Sequence, residues 1–142
     1  MKTLSSESDY QYNFWVSALV IFAVNVKNVA NFYESILGLS PSAKPGDSKQ
    51  DIRLCSKQDE ILIHSIPTHI AKTISLTSPP VPREEMAMKP VFEVGSLSNA
   101  LAQVPLLGGV VTDRTFTSDG VTRHDIIDPE GNVIQIRSRL QI

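Results

Sequence analysis

The sequence contains very little cysteine. Cys55 is the single cysteine among 142 residues, which excludes a disulfide within the chain and a zinc site built from several cysteines. Such sparing use of cysteine is typical of proteins of the reducing cytoplasm, and that is where we expect this one.

The sequence also lacks a strong charge of either sign and a long hydrophobic run. Lysine and arginine number 13 and aspartate and glutamate 15, so the formal net charge is −2, without the basic excess typical of nucleic-acid binding. The longest apolar stretch, residues 16–24, is too short to cross a bilayer and is interrupted by Ser17. The first residues are polar and acidic where a signal peptide needs an apolar run. We therefore expect no nucleic-acid partner and no membrane partner.

The overall composition is that of a globular protein. Hydrophobic residues make up 42% of the chain and charged residues 20%, and both values are ordinary. A chain of 142 residues buries roughly two-thirds of its unfolded surface, which is enough for one hydrophobic core. We therefore treat residues 1–142 as a single domain.

The most informative stretch lies at residues 123–139. Two runs of β-branched residues flank the segment Asp128-Pro129-Glu130-Gly131-Asn132, whose proline, glycine and asparagine favour a tight turn. The predicted structure is strand, turn, strand, with side chains alternating between two faces. The face expected to pack on the core carries His124, Ile126, Ile134 and Ile136. The face where functional side chains are expected carries Arg123, Asp125, Ile127, Val133, Gln135 and Arg137.

The first part of the chain predicts a β-α-β-β-β order. Residues 14–24 are nearly all apolar and predict a strand buried on both faces or nearly so. Residues 27–37 carry apolar side chains at helical spacing, and Gly38 is a typical residue to end that helix. Segments 51–56 and 60–66 predict a hairpin. We place module one at about residues 14–66.

The second part predicts the same order again. Residues 67–88 are interpreted as a linker that could form a flap over a site, and within it Pro79, Pro80 and Pro82 disfavour both helix and central strand. A short strand at 90–94, a helix at 97–104, a strand at 110–112 and the closing hairpin follow. Module two thus spans about residues 89–139, and an internal duplication is the simplest account of the repeat.

Two markers at opposite ends of this repeat point to a family. One is the strand-plus-helix pattern ALVIFAVNVKNVANFYESILGL, and the other is the 128–132 turn followed by a β-branched strand. In these markers and in its length the chain resembles the vicinal oxygen chelate superfamily, which includes glyoxalase I, bleomycin-resistance proteins and extradiol dioxygenases. The resemblance implies an α+β fold in which two βαβββ modules form an incompletely closed, eight-stranded barrel-like sheet around a cleft, with the helices outside.

The resemblance also implies where a metal would bind. Members that use a metal hold it with a histidine from each module's first strand and a glutamate from each module's last strand. Pattern matching puts these positions at Ala18, His64, Lys89 and Gln135, with one offset of 71 residues relating both pairs. All four depart from the pattern: Ala18 has no donor atom, Lys89 is a cation, Gln135 has no charge, and only His64 is a good ligand. We therefore expect neither a metal nor another cofactor.

The cleft-facing positions predict an apolar floor with mixed charges around it, which suits a small organic ligand. The candidate ligand-binding residues are Phe22, His64, Lys89, Glu93, Arg123, Asp125, Gln135 and Arg137. Each also has a purely structural interpretation. His64 could be a structural histidine, Glu93 could pair with Lys89, and Arg123 and Asp125 could form a solvated charge ladder.

Three functions are compatible with these features. The first is a metal-free binding protein that resembles the bleomycin-resistance branch, takes a small organic ligand and, by analogy, forms a homodimer. The second is a glyoxalase-type lyase or isomerase with a displaced or absent metal site, in which His64 and Glu93 do the acid–base work. The third is a dimerisation or regulatory module whose cleft has lost its ligand.

Overall fold

Two four-stranded mixed sheets, one from each predicted module, form the framework of the protein. A computed structural model describes residues 17–139. The elements of the first module are β1 (Ala18–Ala23), α1 (Val26–Leu37), β2 (Ser40–Pro41), β3 (Ile52–Cys55) and β4 (Glu60–Ser65). Its strands are ordered β1-β4-β3-β2, and β1 is parallel to β4 while the other pairs are antiparallel.

The second module repeats this arrangement after a linker that contains a short helix, α2 (Thr68–Ala71). Its elements are β5 (Val91–Glu93), α3 (Leu97–Gln103), a 3₁₀ turn (Pro105–Leu107), β6 (Val110–Ser118), β7 (Val121–Ile127) and β8 (Val133–Arg139). The strand order β5-β8-β7-β6 matches that of the first sheet. The predicted α+β fold of two βαβββ modules without a closed barrel is confirmed. None of the helices within residues 17–139 has the length and apolarity needed to cross a membrane.

Three elements differ from the sequence prediction. The strand predicted at 14–24 begins at Ala18, and positions 14–16 lie outside the described residues. Only one face of β1 is buried, at Ile21 and Ala23, because its other face opens on the cleft. β6 extends to Ser118, well beyond the predicted 110–112, since it pairs with β7 along most of its length. In the linker, where no element was predicted, the residues Thr68–Ala71 form the short helix α2 ahead of the prolines at 79, 80 and 82.

The core lies between the sheets and helix α1. The buried apolar side chains of α1 recur at helical spacing and are Val29, Phe32, Tyr33 and Ile36. The sheets contribute Ile61, Ile63, Ile126, Ile134 and Ile136. The predicted alternation along β7 and β8 is therefore confirmed for the three isoleucines. His124 is half-buried, and its Nε2 lies 2.7 Å from the carbonyl oxygen of Thr112.

Residues at both ends of α1 explain why the helix begins directly after β1 and stops where it does. The Asn25 side chain accepts a hydrogen bond of 3.2 Å from the backbone N–H of Asn28, which satisfies one unpaired donor of the first turn. At the other end Gly38 takes φ = 67°, a left-handed conformation that costs glycine little. These caps set the residues at which the helix begins and ends.

The 128–132 turn joins the two modules. The Glu130 carboxylate accepts hydrogen bonds from the backbone N–H groups of Val24 (2.8 Å) and Asn25 (2.7 Å), where β1 passes into α1. Asp128 accepts a 2.8 Å hydrogen bond from the hydroxyl of Tyr33. Burial raises the pKa of that hydroxyl, and the neighbouring Asp128 carboxylate raises it further. Both acidic side chains are buried, so the turn is a tertiary contact as well as a hairpin loop.

Candidate functional site

The face of the sheets that points away from the core is open and partly apolar. On β1 this face carries Val20 and Phe22, which are 47% and 59% exposed. Val91 on β5 is exposed in the same way. Large apolar side chains grouped on one surface mark contacts with ligands or partners. A functional site is therefore expected on this face.

A cavity of about 600 Å³ lies against β1. The strand contributes Val20 and Phe22, and the linker contributes Ile74, Met86 and Met88. The polar or charged residues of the lining are Tyr33, Arg83, Lys89 and Asn132. A largely apolar wall with a few polar groups at its edge is typical of sites for small organic molecules.

A second cavity, of about 680 Å³, lies against β7 and β8. It is lined by Asp125 and Val133 from these strands and by much of the segment 82–89. The residues that line both cavities are Arg83, Met86, Ala87, Met88 and Lys89. Residues 83–89, which we call the partition segment, thus form a wall shared by the two cavities.

A buried carboxylate anchors Lys89 in this wall. Lys89 Nζ lies 2.7 Å from Asp125 Oδ2, and Gln135 Nε2 donates to Asp125 Oδ1 over 3.1 Å. The Asp125 side chain is only 5% exposed, whereas that of Lys89 is 39% exposed. The interpretation of Asp125 as part of a solvated charge ladder is therefore wrong. Lys89 therefore lines both cavities while its ammonium is bound to Asp125.

A carboxylate anchors His64 in the same way. His64 Nδ1 lies 2.7 Å from Asp51 Oδ2, and the backbone N–H of Ser65 donates to Asp51 Oδ1 over 2.9 Å. Burial by itself raises the pKa of Asp51, but the hydrogen bonds from Ser65 and His64 outweigh burial, so the pKa is lowered. Because an ionised carboxylate only accepts hydrogen bonds, Nδ1 carries the hydrogen and Nε2 remains available. The imidazole packs edge-on against Phe22, with 5.3 Å between the ring centroids.

His64 and Gln135 occupy equivalent places in the two modules. His64 lies on β4, and its partner Asp51 directly precedes β3, the antiparallel neighbour of β4. Gln135 lies on β8, and its partner Asp125 is the residue opposite it on β7. In each module an aspartate therefore holds a polar side chain of the last strand on the open face.

The other candidate ligand-binding residues pair among themselves or with an aromatic ring. Arg137 Nη2 lies 3.3 Å from Glu93 Oε1, so the suggested pairing of Glu93 with Lys89 is wrong. The Arg123 guanidinium lies over the ring of Phe116, 5.5 Å from its centroid. Glu93, Arg123 and Arg137 are not among the residues lining the two cavities. The candidates that the structure brings to the cavities or into contact with their lining are Phe22, His64, Lys89, Asp125 and Gln135.

Solved structures with the same architecture identify the fold. A glyoxalase/bleomycin resistance protein from Albidiferax ferrireducens T118 superposes with a TM-score of 0.61 at 17% identity, covering 87% of this chain and 97% of that one. A glyoxalase/bleomycin resistance protein/dioxygenase family enzyme from Burkholderia phytofirmans PsJN gives 0.59 at 17% identity, covering 87% and 98%. The chain has the vicinal oxygen chelate fold.

Other matches are similarly distant in sequence. Protein SA1046 from S. aureus superposes with a TM-score of 0.61 at 14% identity, covering 86% of this chain and 95% of that one. No protein-family model matches the chain, and no curated protein matches it either. The likeness thus establishes the vicinal oxygen chelate fold, and the activity has to be argued from the residues of the site.

The positions at which vicinal oxygen chelate proteins hold a metal do not fit one here. Ala18 offers no donor atom, Lys89 is an ammonium bound to Asp125, and Gln135 turns its amide N–H toward the same carboxylate. Within residues 17–139 no three or more His, Cys, Asp or Glu side chains are grouped so that they could hold a metal ion. Divalent metals need several donors in a fixed geometry, so the donor set disagrees with a metal at this position.

The offset of 71 residues that relates His64 to Gln135 on the last strands of the two modules does not relate their first strands. His64 is paired with Phe22, whereas its counterpart Gln135 is paired with Val91 and not with Glu93. The first strands are therefore two residues out of step with the last strands. Shifting the comparison by two residues makes Val20 the counterpart of Lys89, and valine has no donor atom either.

Three features of the site were not predicted from the sequence: Asp51, Arg83 and the methionines of the partition segment. Alternation in Met86-Ala87-Met88-Lys89 was a usable signal, because it predicts two apolar side chains on one side of an extended segment. The neighbouring prolines disfavour a central strand, so the alternation was not interpreted as an extended segment. Asp51 was not predicted because its contact with His64 depends on the pairing register of the hairpin at residues 51–66.

Proposed function

We propose that this protein is a metal-free binding protein for a small, largely apolar organic molecule, resembling the bleomycin-resistance branch of its fold. The observation that carries the proposal is the first cavity, whose wall combines Val20 and Phe22 with Met86 and Met88. Methionine side chains are flexible and polarisable, so they adapt to varied apolar shapes. Each Å² of apolar ligand surface buried there contributes roughly 25 cal/mol.

Polar groups at the edge of the cavity would orient the ligand. Lys89 is one of them, since Asp125 holds its ammonium in place before a ligand arrives. A side chain that is already oriented loses less conformational entropy on binding. His64 is next to the cavity through its contact with Phe22, and Gln135 acts indirectly by holding Asp125.

Fluorescence titration with 8-anilinonaphthalene-1-sulfonate tests the proposal, because this dye brightens in apolar surroundings. We expect saturable binding at one site per chain. Phe22→Ala should weaken it about tenfold, since the substitution removes an aromatic wall. Phe116→Ala is the matched control, because Phe116 is similarly exposed at 54% but lies outside the lining of both cavities. Equal losses in the two variants would contradict the proposal.

A second candidate function, a glyoxalase-type lyase or isomerase, is favoured by the Asp51–His64 pair. A carboxylate that holds Nδ1 leaves Nε2 free to accept or donate a proton, which is the arrangement general acid–base catalysis needs. Within residues 17–139 Nε2 has no hydrogen-bond partner. The acidic partner of His64 is Asp51 and not Glu93, the residue expected from the sequence, because Glu93 binds Arg137.

Turnover of the hemithioacetal of methylglyoxal and glutathione in the presence of EDTA tests this second candidate. Activity that disappears in His64→Gln and falls in Asp51→Asn would support it. No turnover by the wild-type protein would rule out this reaction and leave the binding function. Turnover that EDTA abolishes would instead show that a metal is required, against the donor set described above.

A further inference from the structure

We propose that the ligand of the first cavity is an apolar anion, namely an organic acid whose carboxylate is bound by Arg83. This inference rests on the proposed binding function and adds the charge of the ligand to it. It follows from the distribution of charged side chains around the two cavities. The ligand class is defined by chemistry alone: an aromatic or aliphatic body that fills the cavity, with one carboxylate at its edge.

The charged residues lining the first cavity all have the same sign. Among its described lining residues, Arg83 and Lys89 are basic and none is acidic. The second cavity is different, because its lining includes three acidic residues, Glu84, Asp113 and Asp125, and three basic ones, Arg83, Lys89 and Arg114. Its charges balance, so the preference for an anion belongs to the first cavity alone.

Arg83 is the cation in this lining whose charge is not neutralised by a carboxylate within residues 17–139. Lys89 is neutralised by its 2.7 Å contact with Asp125, so it adds little net charge. Within residues 17–139 the Arg83 guanidinium forms neither a salt bridge nor a side-chain hydrogen bond. A guanidinium binds a carboxylate through two parallel N–H donors, which a lysine ammonium cannot do.

The backbone of Arg83 is held in place next to the cavity. Its N–H donates to the carbonyl oxygen of Gly131 over 3.0 Å. Gly131 belongs to the turn that joins the modules, so the partition segment is attached to that turn at Arg83. The Arg83 side chain itself is exposed and therefore accessible to an incoming ligand.

Three naphthalene probes of the same shape and different charge test the inference by isothermal titration calorimetry. They are 2-naphthoate, 2-naphthalenemethanol and 2-naphthylmethylammonium. We expect the anion to bind about tenfold or more tightly than the neutral alcohol, and the cation to bind weakest, since a charge-assisted hydrogen bond exceeds a neutral one. The preference for the anion should shrink at high salt.

Variants at Arg83 assign that preference to one side chain. Arg83→Gln should remove most of the difference between 2-naphthoate and the alcohol, and Arg83→Lys should retain part of it. Lys72→Gln is the matched control, because it removes the same charge from an exposed residue outside the cavity lining. Lys72→Gln should leave the affinities for both probes at their wild-type values, which shows that the loss of a positive charge elsewhere does not produce the effect.

The outcomes separate this inference from the proposed function. Equal affinity for the anion and the alcohol, with loss of both in Phe22→Ala, would overturn the anion preference and leave the binding function standing. Tighter binding of the cation would also overturn the inference. Failure of all three probes and of the fluorescent dye to bind would overturn both.

Discussion

Asp51 is the residue that holds His64 in the orientation seen in the structure. Its two carboxylate oxygens are used separately, one by His64 Nδ1 and one by the backbone N–H of Ser65. The side chain is 8% exposed, so water cannot easily replace either contact. Removing its charge should therefore affect both stability and the position of the imidazole.

Asp51→Asn is expected to lower the free energy of unfolding at neutral pH by about 1 kcal/mol, because a neutral amide replaces the charged acceptor of two hydrogen bonds. Folding lowers the pKa of Asp51. The carboxylate therefore contributes stability above its unfolded-state pKa and loses it as the pH falls through the lower folded-state pKa. Urea unfolding over a range of pH should show that the difference in free energy of unfolding between Asp51→Asn and wild type becomes smaller in acid. Asp113→Asn, at an exposed residue, is the control. A difference between Asp51→Asn and wild type that does not depend on pH would contradict this role of the carboxylate.

Folding raises the pKa of Asp59, in contrast to that of Asp51. Burial raises the pKa of its carboxyl, and the negative charge of Glu93 raises it further. The folded protein thus prefers the protonated acid, and its stability falls as the pH rises from the unfolded-state pKa through the folded-state pKa. Asp59→Asn should therefore stabilise the protein at neutral pH but not at about pH 3, below the ordinary pKa of aspartate.

Thermal melts at both pH values measure this effect. Glu93→Gln is a second variant that removes only the neighbouring charge, and it should give a smaller gain of the same sign. The pair that it breaks with Arg137 is solvent-exposed, so its loss costs little. A destabilised Asp59→Asn at neutral pH would show that the carboxylate makes a favourable contact instead.

The sequence pointed to His64 but not to Asp51, and the reason is physical. The hairpin at 51–56 and 60–66 was predicted correctly as two strands, but not its register. Cys55 pairs with Glu60 and Ile52 with Ile63, which brings Asp51 opposite His64. A shift of one residue would have turned Asp51 to the other face. Composition and alternation predict the strands well. A cross-strand contact also depends on the pairing register, which the turn sets and which the sequence pattern defines only to within one residue.

At the level of elements, the 128–132 turn closes a hairpin and also joins the second module to the first. Asp, Pro, Gly and Asn predict a tight turn, and that prediction is confirmed. Its contacts with Tyr33, Val24 and Asn25 join residues 95 to 106 positions apart. No local pattern could predict them, because they arise only when the second module packs on α1. A marker of the fold is thus also the main polar contact between the modules.

Glu130→Ala is expected to lower the free energy of unfolding by about 2–4 kcal/mol, because it leaves the N–H groups of Val24 and Asn25 without their acceptors. Glu130→Gln keeps one acceptor oxygen and should lose less. Glu85→Ala, at an exposed position of the partition segment, is the control and should stay within about 0.5 kcal/mol of wild type. Urea unfolding measures all three, and a Glu130→Ala variant as stable as the control would contradict the role of the turn.

At the level of the whole molecule, the open face suits a second copy of the chain as well as a ligand. Val20, Phe22, Val91 and Met88 are exposed at 47%, 59%, 43% and 81%. On this support, and by analogy with the bleomycin-resistance branch, we propose a homodimer. Multi-angle light scattering should give twice the mass of one chain, and a single-chain mass at micromolar concentration would contradict it. Val91→Glu should shift the mass toward one chain, because it places a charge at an exposed apolar position of β5.

Metal binding provides a whole-molecule test of the cleft, since a ligand that binds only the folded state raises the melting temperature. We expect Ni²⁺, Zn²⁺ and Mn²⁺ to leave the melting temperature unchanged and EDTA to leave it unchanged as well, because Lys89 and Gln135 both direct N–H groups at Asp125. The double variant Lys89→His with Gln135→Glu is the informative counterpart. It places an imidazole and a second carboxylate beside Asp125, so it should gain a Zn²⁺-dependent rise of several degrees. A wild-type protein that purifies with stoichiometric metal and loses stability in EDTA would show that the cleft binds a metal through other donors, and the enzyme hypothesis would then take precedence.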